Sequence, residues 1–326
     1  MLNSKKENMR RALIVGINHY PAGPLKGCIN DAKNMHEVLS RHEDETVNFD
    51  CKLLTSKEES LNISTRYLKM EISKLLLQEA EIAVLYFSGH GTTNDIDSYL
   101  VTQDAMNFSE GVSLSEIISM ANRSKAREVI IILDCCHSGH LGNLNEIGIR
   151  KAILREGVSI LTSSRDTQIS MEKDDNQGLF TSMIYEALKG GASDIFGNIT
   201  VSGIYQYADQ LLNTWEQRPV LKTHISRMVS LRKNSPKIKL KTLRKIKKHF
   251  PNKEFKYPLD PSYSTNSKKK NKKNIKKMRV FREYHSQGLL RPIGTTYMWD
   301  AAQESKHCEL TPFGKHIWEM ANKNQI

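Results

Sequence analysis

The chain has 326 residues, 39% of them apolar and 26% charged, enough for one large core with a smaller appendage and the balance of a soluble protein. No apolar run approaches the roughly 20 residues that span a bilayer, and the polar, basic start MLNSKKENMRR lacks the apolar stretch of a secretory leader. The formal charge of +12 comes from one segment: residues 231–280 hold 19 of the 48 Lys and Arg and two acids, Glu254 and Asp260, which leaves −5 elsewhere and excludes a uniformly basic globule.

In chain order, RALIVGI (11–17) is the first short, continuous, β-branched run, of the kind a strand buried on both faces shows. Amphipathic stretches at 29–41 and 64–80 predict helices, and IAVLYF (82–87) a second buried strand. A helix follows over 113–122, opened by SLSE, in which Ser113 and Glu116 have capping-box spacing. Strands VIIIL (129–133) and VSILT (158–162) and helices over 178–190 and 200–215 complete the pattern. Alternation of this kind predicts an α/β fold with a mainly parallel sheet and helices on both faces. Reactive groups in such a sheet gather at the carboxyl ends of its strands.

The expected organisation is a large α/β domain over 1–230, a flexible basic linker over 231–275 and a small, mostly helical domain over 276–326. SKKKNKKNIKK (267–277) and PLDPSYSTNS (258–267) offer no periodic apolar face. In the last stretch Thr311 precedes Pro312 as a helix cap, Trp299, Phe313 and Trp318 are its expected core, and a helix, short strand and helix fit a winged-helix-like module. The five cysteines, an odd number without framework spacing, point to a reducing, cytoplasmic setting.

Two strand ends carry chemistry. YFSGHG places His90 between two glycines just past one strand, and IILDCCHSG (131–139) places Asp134, Cys135, Cys136 and His137 past the next. A cysteine nucleophile needs a base or imidazolium beside it, because the thiolate is the reactive form. Neighbouring strands of a parallel sheet would bring His90 to a cysteine 46 positions later. Alternation in an extended chain turns Asp134 and Cys136 to one side and Cys135 towards the core. A zinc site at Cys135, Cys136, His137 and His140 is disfavoured, since the spacing does not let four ligands wrap one ion.

YFSGHG followed by LDCCHSG resembles the caspase clan, and LKGCINDA (25–32) brings it nearer to metacaspases and bacterial caspase-like peptidases of family C14. ILTSSRDTQIS (160–170), GLFTSMIYEAL (178–188) and EQRPVL (216–221) are also similar to that family, so the resemblance covers about residues 9–230. It implies a caspase-like fold and a cysteine endopeptidase acting in regulated cell death, defence or signalling. Cys136 would be the nucleophile and His90 the general base, with the amides of Gly91 and Cys136 as oxyanion hole. Cys28, Asp31, Ser88 and Asp134 would line the pocket for the residue before the cut bond. Two acids there match Arg or Lys, unlike the arginines that let caspases cut after Asp.

Many metacaspases need calcium. Here Asp104 alone occupies a comparable place, the other expected positions falling near Ala121–Asn122 and at Asn143, poor ligands for Ca2+; the expectation is no cofactor and no calcium dependence. The expected partners are proteins or peptides with Arg or Lys before the cut bond, with a regulatory protein on 276–326. Alternative readings are a silent caspase-like scaffold or a nucleic-acid-binding protein acting through 231–280; a membrane-surface role for KIKLKTLRKIKKHF (237–250) is a lesser one. An enzyme cutting after Lys or Arg would also find sites within its own 231–280.

Overall fold

A computed structural model describes residues 9–21, 23–58, 60, 62–94, 97–105, 111–137, 153–163, 178–212 and 218–326, with only the backbone of Cys136 and His137. The chain divides into two compact units, the first ending at Asn234 and the second comprising Asp194–Gly197 with Ser235–Ile326.

The first unit is built on one sheet. Strands β1 (Arg10–Gly16), β2 (Asp50–Thr55), β3 (Ile82–Thr93), β6 (Glu128–His137), β7 (Val158–Thr162) and β9 (Val220–His224) lie in the order β2-β1-β3-β6-β7-β9. The first five run parallel and β9 closes the edge antiparallel to β7. Beyond the apolar run of β3, Gly91–Thr93 turn to pair antiparallel with β4 (Ser98–Val101), which pairs in turn with β5 (Gly111–Ser113); β8 (Asn198–Ile199) and β10 (Arg232–Lys233) form a separate antiparallel pair. The fold is the α/β arrangement expected, with β2 and β9 as additions: their half-buried, mixed sequences lack the continuous apolar signal of the central strands.

Strand alternation divides the apolar residues between two cores. Leu13 and Val15 of β1, Leu85 and Phe87 of β3, and Ile131 and Leu133 of β6 pack against helices α2 (Thr65–Leu77) and α3 (Leu114–Asn122). Ile14, Tyr86 and Ile132, one residue out of phase, pack on the other face against α1 (Cys28–Ser40), α4 (Leu179–Glu186) and α5 (Val201–Leu211). At about 25 cal/mol per Å2 of apolar surface removed from water, each such buried side chain stabilises the fold by roughly 1.5–3 kcal/mol relative to exposure. The expected cap of α3 is half formed. Ser113 accepts from the amide of Glu116, but the Glu116 carboxylate turns to Lys69, 2.5 Å away, and does not close a capping box.

The second unit corrects the linker reading. Residues 235–275 supply Ile238, Leu243, Ile246, Phe250, Leu259 and Tyr263 to a core that also takes Met278, Phe281 and Tyr284 from a later helix. Two short helices (α6, Leu240–Leu243; α7, Ile246–His249) turn Leu243 and Ile246 inward while Lys241 and Lys248 face water; one-turn helices are too brief for a periodic signal. They are followed by β11 (Tyr257–Pro258), α8 (Lys272–Ser286), β12 (Leu290–Pro292), α9 (Met298–Gln303), β13 (His307–Leu310) and α10 (Pro312–Asn322). The strands form an antiparallel sheet of order β11-β13-β12, so the unit is not built of helices alone. Thr311 caps α10 by accepting from the amide of Gly314 at 3.0 Å. Trp318 reaches the carbonyl of Phe250 at 2.7 Å, whereas Trp299 and Phe313 stay exposed rather than joining the core.

Candidate active site

The apolar runs that predict β3 and β6 stop at Phe87 and Leu133, but both strands run on through the polar residues that follow. His90 and Cys136 therefore lie within strands rather than past them. Pairing is continuous from Ile82 opposite Glu128 to Gly91 opposite His137, and it sets Ser88 opposite Asp134, Gly89 opposite Cys135 and His90 opposite Cys136. Register partners on neighbouring strands have backbones about 4.8 Å apart. The side chain of Cys136 lies outside the described residues, as do His140, Asn143 and Gln217. The side chain of Cys135 is buried with Ile131 and Leu133 in the α2–α3 core.

His90 is held from three directions. Its Nε2 is 2.6 Å from the carbonyl oxygen of Gly23. A carbonyl only accepts, so Nε2 carries the proton and Nδ1 is the basic nitrogen of the neutral ring. Its backbone N–H donates to the Tyr20 hydroxyl at 3.0 Å, and the two rings stand 4.6 Å apart. Burial lowers the imidazole pKa below its usual value, against the opposing effect of the Gly23 carbonyl, and so favours the neutral base at pH 7. A side chain at residue 89 would put its Cβ 2.4 Å from the Tyr20 oxygen, which is why the strand carries glycine there.

On the α1 face, the carboxyl end of the sheet gathers two acids. Asp31, in the first turn of α1, accepts from Ser88 at 3.2 Å and from the amide of Gly178 at 3.2 Å. Asp134 accepts from Thr181 of α4 at 2.6 Å, and the Thr181 hydroxyl is 2.5 Å from that of Tyr86. A Cβ placed on Gly178 would lie 2.9 Å from Oδ2 of Asp134 and 3.1 Å from Oδ2 of Asp31, so both carboxylates converge on this glycine. Burial pushes the Asp134 carboxyl above its usual range, against the Thr181 hydrogen bond. Burial, with the charges of Asp134 and Asp31, raises the Tyr86 phenol. Cys28 opens α1 and is buried. Thus Asp31, Ser88 and Asp134 come together around Tyr86, Gly178 and Thr181, and His90 is held by Tyr20 and Gly23, partners the sequence did not single out.

Burial pushes the thiol of Cys51 up to about 11 and that of Cys308 up to about 12, too high for thiolate chemistry at neutral pH.

Of the positions expected near a calcium site, Asn143 lies outside the described residues, and Asp104 and Asn122 are engaged within the fold. Asp104 caps α2: its Oδ1 takes hydrogen bonds from Thr102, Thr65 Oγ1 and the Thr65 amide at 2.6, 3.1 and 2.8 Å. Burial acts to raise its pKa, but these bonds outweigh it and hold the carboxyl low. The Asn122 amide is spent on Ile153 and Arg155, at 2.8 and 2.9 Å. The Arg155 guanidinium donates to the carbonyls of Ala121 and Ala126 at 3.2 and 2.6 Å. Among the described residues no group of three or more His, Cys, Asp or Glu could hold a metal ion, and no helix is long and apolar enough to cross a membrane.

The Caspase domain of peptidase family C14 matches residues 9–245. The chain belongs to that family. It is also similar to curated proteins: metacaspase III c of Phaeodactylum tricornutum is 28% identical over 147 residues, 40% of this chain and 43% of that protein. Metacaspase-1B of Aspergillus fumigatus is 29% identical over 167 residues (45% and 40%), and metacaspase-1 of Scheffersomyces stipitis 26% over 192 residues (53% and 47%). The chain thus spans less than half the length of these relatives.

Proposed function

We propose that the protein is a cysteine endopeptidase of metacaspase type that hydrolyses peptide bonds after Arg or Lys. The observation that carries this reading is the in-register pairing of His90 with Cys136, one strand end away from the paired carboxylates of Asp31 and Asp134. In the proposed reaction the Cys136 thiolate forms a bond to the scissile carbonyl carbon. The negative oxygen is received by the amides of Gly91 and Cys136, donors of a type worth about 2.7–4 kcal/mol each. His90, having taken the thiol proton, gives it to the departing amine as the C–N bond breaks. Water then attacks the thioester, passing its proton to His90, and the acid product leaves as the thiol is restored.

Asp31 and Asp134, with Cys28 and Ser88, form the pocket of this proposal. A guanidinium entering beside Gly178 would meet two acids in a buried setting, where charge-assisted bidentate pairing is strong. Removing one partner of such a pair costs about 2–5 kcal/mol, so Asp31→Asn or Asp134→Asn should lower kcat/KM for Arg substrates by at least about 30-fold. We propose further that the reaction needs no calcium, that the enzyme works in the cytoplasm on protein substrates, and that Ser235–Ile326 carries a regulatory contact.

The test is labelling with a peptidyl-arginine chloromethyl ketone followed by peptide mass mapping, with calcium or with chelator. The reading expects one adduct, on Cys136, unaffected by chelation and slowed in Asp134→Asn. Modification spread evenly over the five cysteines would contradict it.

A further inference from the structure

The second unit has a charge its own fold does not use. Residues 194–197 and 235–326 hold 22 Lys and Arg against eight Asp and Glu, a net of +14, so the first unit is close to neutral. Four of those acids are engaged: Glu254 with Lys315, Glu304 with Lys306, Glu309 with Arg291 and Glu319 with Lys253. The lysines at 268, 269, 270, 272, 273 and 276 and Arg279 are exposed, and none forms an ion pair among the described residues.

Their placement runs against helix electrostatics. Asn271 caps α8, accepting from the amides of Lys273 and Asn274. Five lysines thus sit in or just before its first turn, at the positive end of the macrodipole where acids stabilise and cations destabilise. Lys272 and Lys276 add like-charge repulsion at i,i+4. Meanwhile the apolar face of α8 is committed: Met278, Phe281 and Tyr284 are buried in the unit's core, and no greasy stripe is left to enter a lipid layer. What remains outward is Lys272, Lys276 and Arg279 along one face of a rigid helix. They span about 10 Å of helix axis, over which one strand of a nucleic-acid duplex passes about three phosphates.

We propose that this lysine cluster is a docking surface for the phosphate backbone of nucleic acid, binding without reading sequence. The inference goes beyond the peptidase reading and does not depend on it. A polyanion supplies the negative charge that the helix start lacks, and point-charge lysines rather than forked arginines suit contact with phosphate over readout of bases.

The test uses the full-length chain carrying Cys136→Ala and fluorescence anisotropy with two unrelated 20-bp DNA duplexes and a single-stranded RNA, from 50 to 200 mM salt. Binding is expected to the two duplexes within threefold of each other, with log K falling against log salt at a slope of about −4 to −6, the value for five or six neutralised phosphates. Replacing Lys268, Lys269, Lys272 and Lys276 by Gln should weaken binding by at least about 30-fold at 100 mM salt and flatten the slope by about 3 to 4. Replacing the ion-paired Lys253 and Lys315 by Gln should change neither, and the thermal unfolding curve of the fourfold variant should match the parent. No binding at 50 mM salt, or binding untouched by the four replacements, would overturn the proposal. So would capture by phosphatidylserine vesicles with none by nucleic acid, which would assign the cluster to a membrane surface.

Discussion

His90 of β3 and Cys136 of β6 are register partners on adjacent parallel strands. Their offset of 46 positions is also that of every other pair from Ile82–Glu128 to Gly91–His137. The catalytic separation is thus the register of the whole strand pair. Slipping that register by one residue would turn Leu85, Phe87, Ile131 and Leu133 from one core to the other, so the packing of the two cores fixes the alignment of the site.

Gly178 separates the Asp31 and Asp134 carboxylates. Gly178→Ala adds one methyl at 2.9 and 3.1 Å from them, while its φ of −64 and ψ of 134 suit alanine. The expected outcome is a KM for Arg and Lys peptides raised at least about tenfold, equivalent to about 1.4 kcal/mol, with kcat little changed. Steady-state kinetics decide it; an unchanged KM would remove Gly178 from the pocket.

Tyr20→Phe deletes the acceptor of the His90 N–H and a buried hydroxyl that also donates to the Val101 carbonyl at 3.3 Å. A buried donor left without acceptor costs about 1–3 kcal/mol. The variant should lose about tenfold or more in kcat, with KM within threefold and a Tm lowered by a few degrees. A kcat equal to that of the parent would show that the ring contact alone positions His90.

The His90 pKa lies below 6.5 because burial disfavours the imidazolium. The neutral ring is the base, so kcat/KM should fall on the acid side with an apparent midpoint below pH 6.5. Stability follows the same sign. His90, like His42 and His249, whose pKa values burial also lowers, binds protons more readily when unfolded. These contributions are full above about pH 6.5 and are lost as pH falls below it. Rate profiles and thermal scans from pH 5 to 8 measure both; a Tm that rises on acidification over this range would contradict the assignment.

If the enzyme cuts itself within 231–280, the fold restricts where. Lys272, Lys273, Lys276 and Lys277 are on α8, and Lys241, Lys247 and Lys248 are on the short helices before it. The exposed turn at Lys268–Lys270 is an accessible stretch outside the helices. Phe250 and Phe281 lie on opposite sides of a cut there, in one core, so the product should be nicked rather than shortened. Intact mass under native and denaturing conditions tests this: one species natively and two fragments when denatured are expected from the active enzyme, and neither cut nor fragments from Cys136→Ala.

Much of this architecture is legible in the residues. The central strands announce themselves because burial on both faces demands continuous β-branched runs, and Asp31, Ser88, His90 and Asp134 stand at the ends of recognisable elements. Tyr20, Gly23 and Thr181 were not legible: a loop tyrosine, a backbone carbonyl and a helical threonine carry no spacing signal, and only the tertiary fold brings them to the site. The linker reading failed for a related reason. Leu243, Ile246 and Phe250 are buried at 0% exposure, but they are so diluted by lysine that composition reads as solvated chain while three well-placed side chains suffice to fold it.

The most direct test of the central claim is hydrolysis of fluorogenic peptides ending in Arg, Lys or Asp by the parent, Cys136→Ala, Cys135→Ala and His90→Ala proteins, with calcium or chelator. Cleavage after Arg and Lys that is indifferent to calcium, kept in Cys135→Ala and abolished in Cys136→Ala and His90→Ala is the predicted result. Cleavage after Asp, or activity that survives the loss of Cys136, would contradict it.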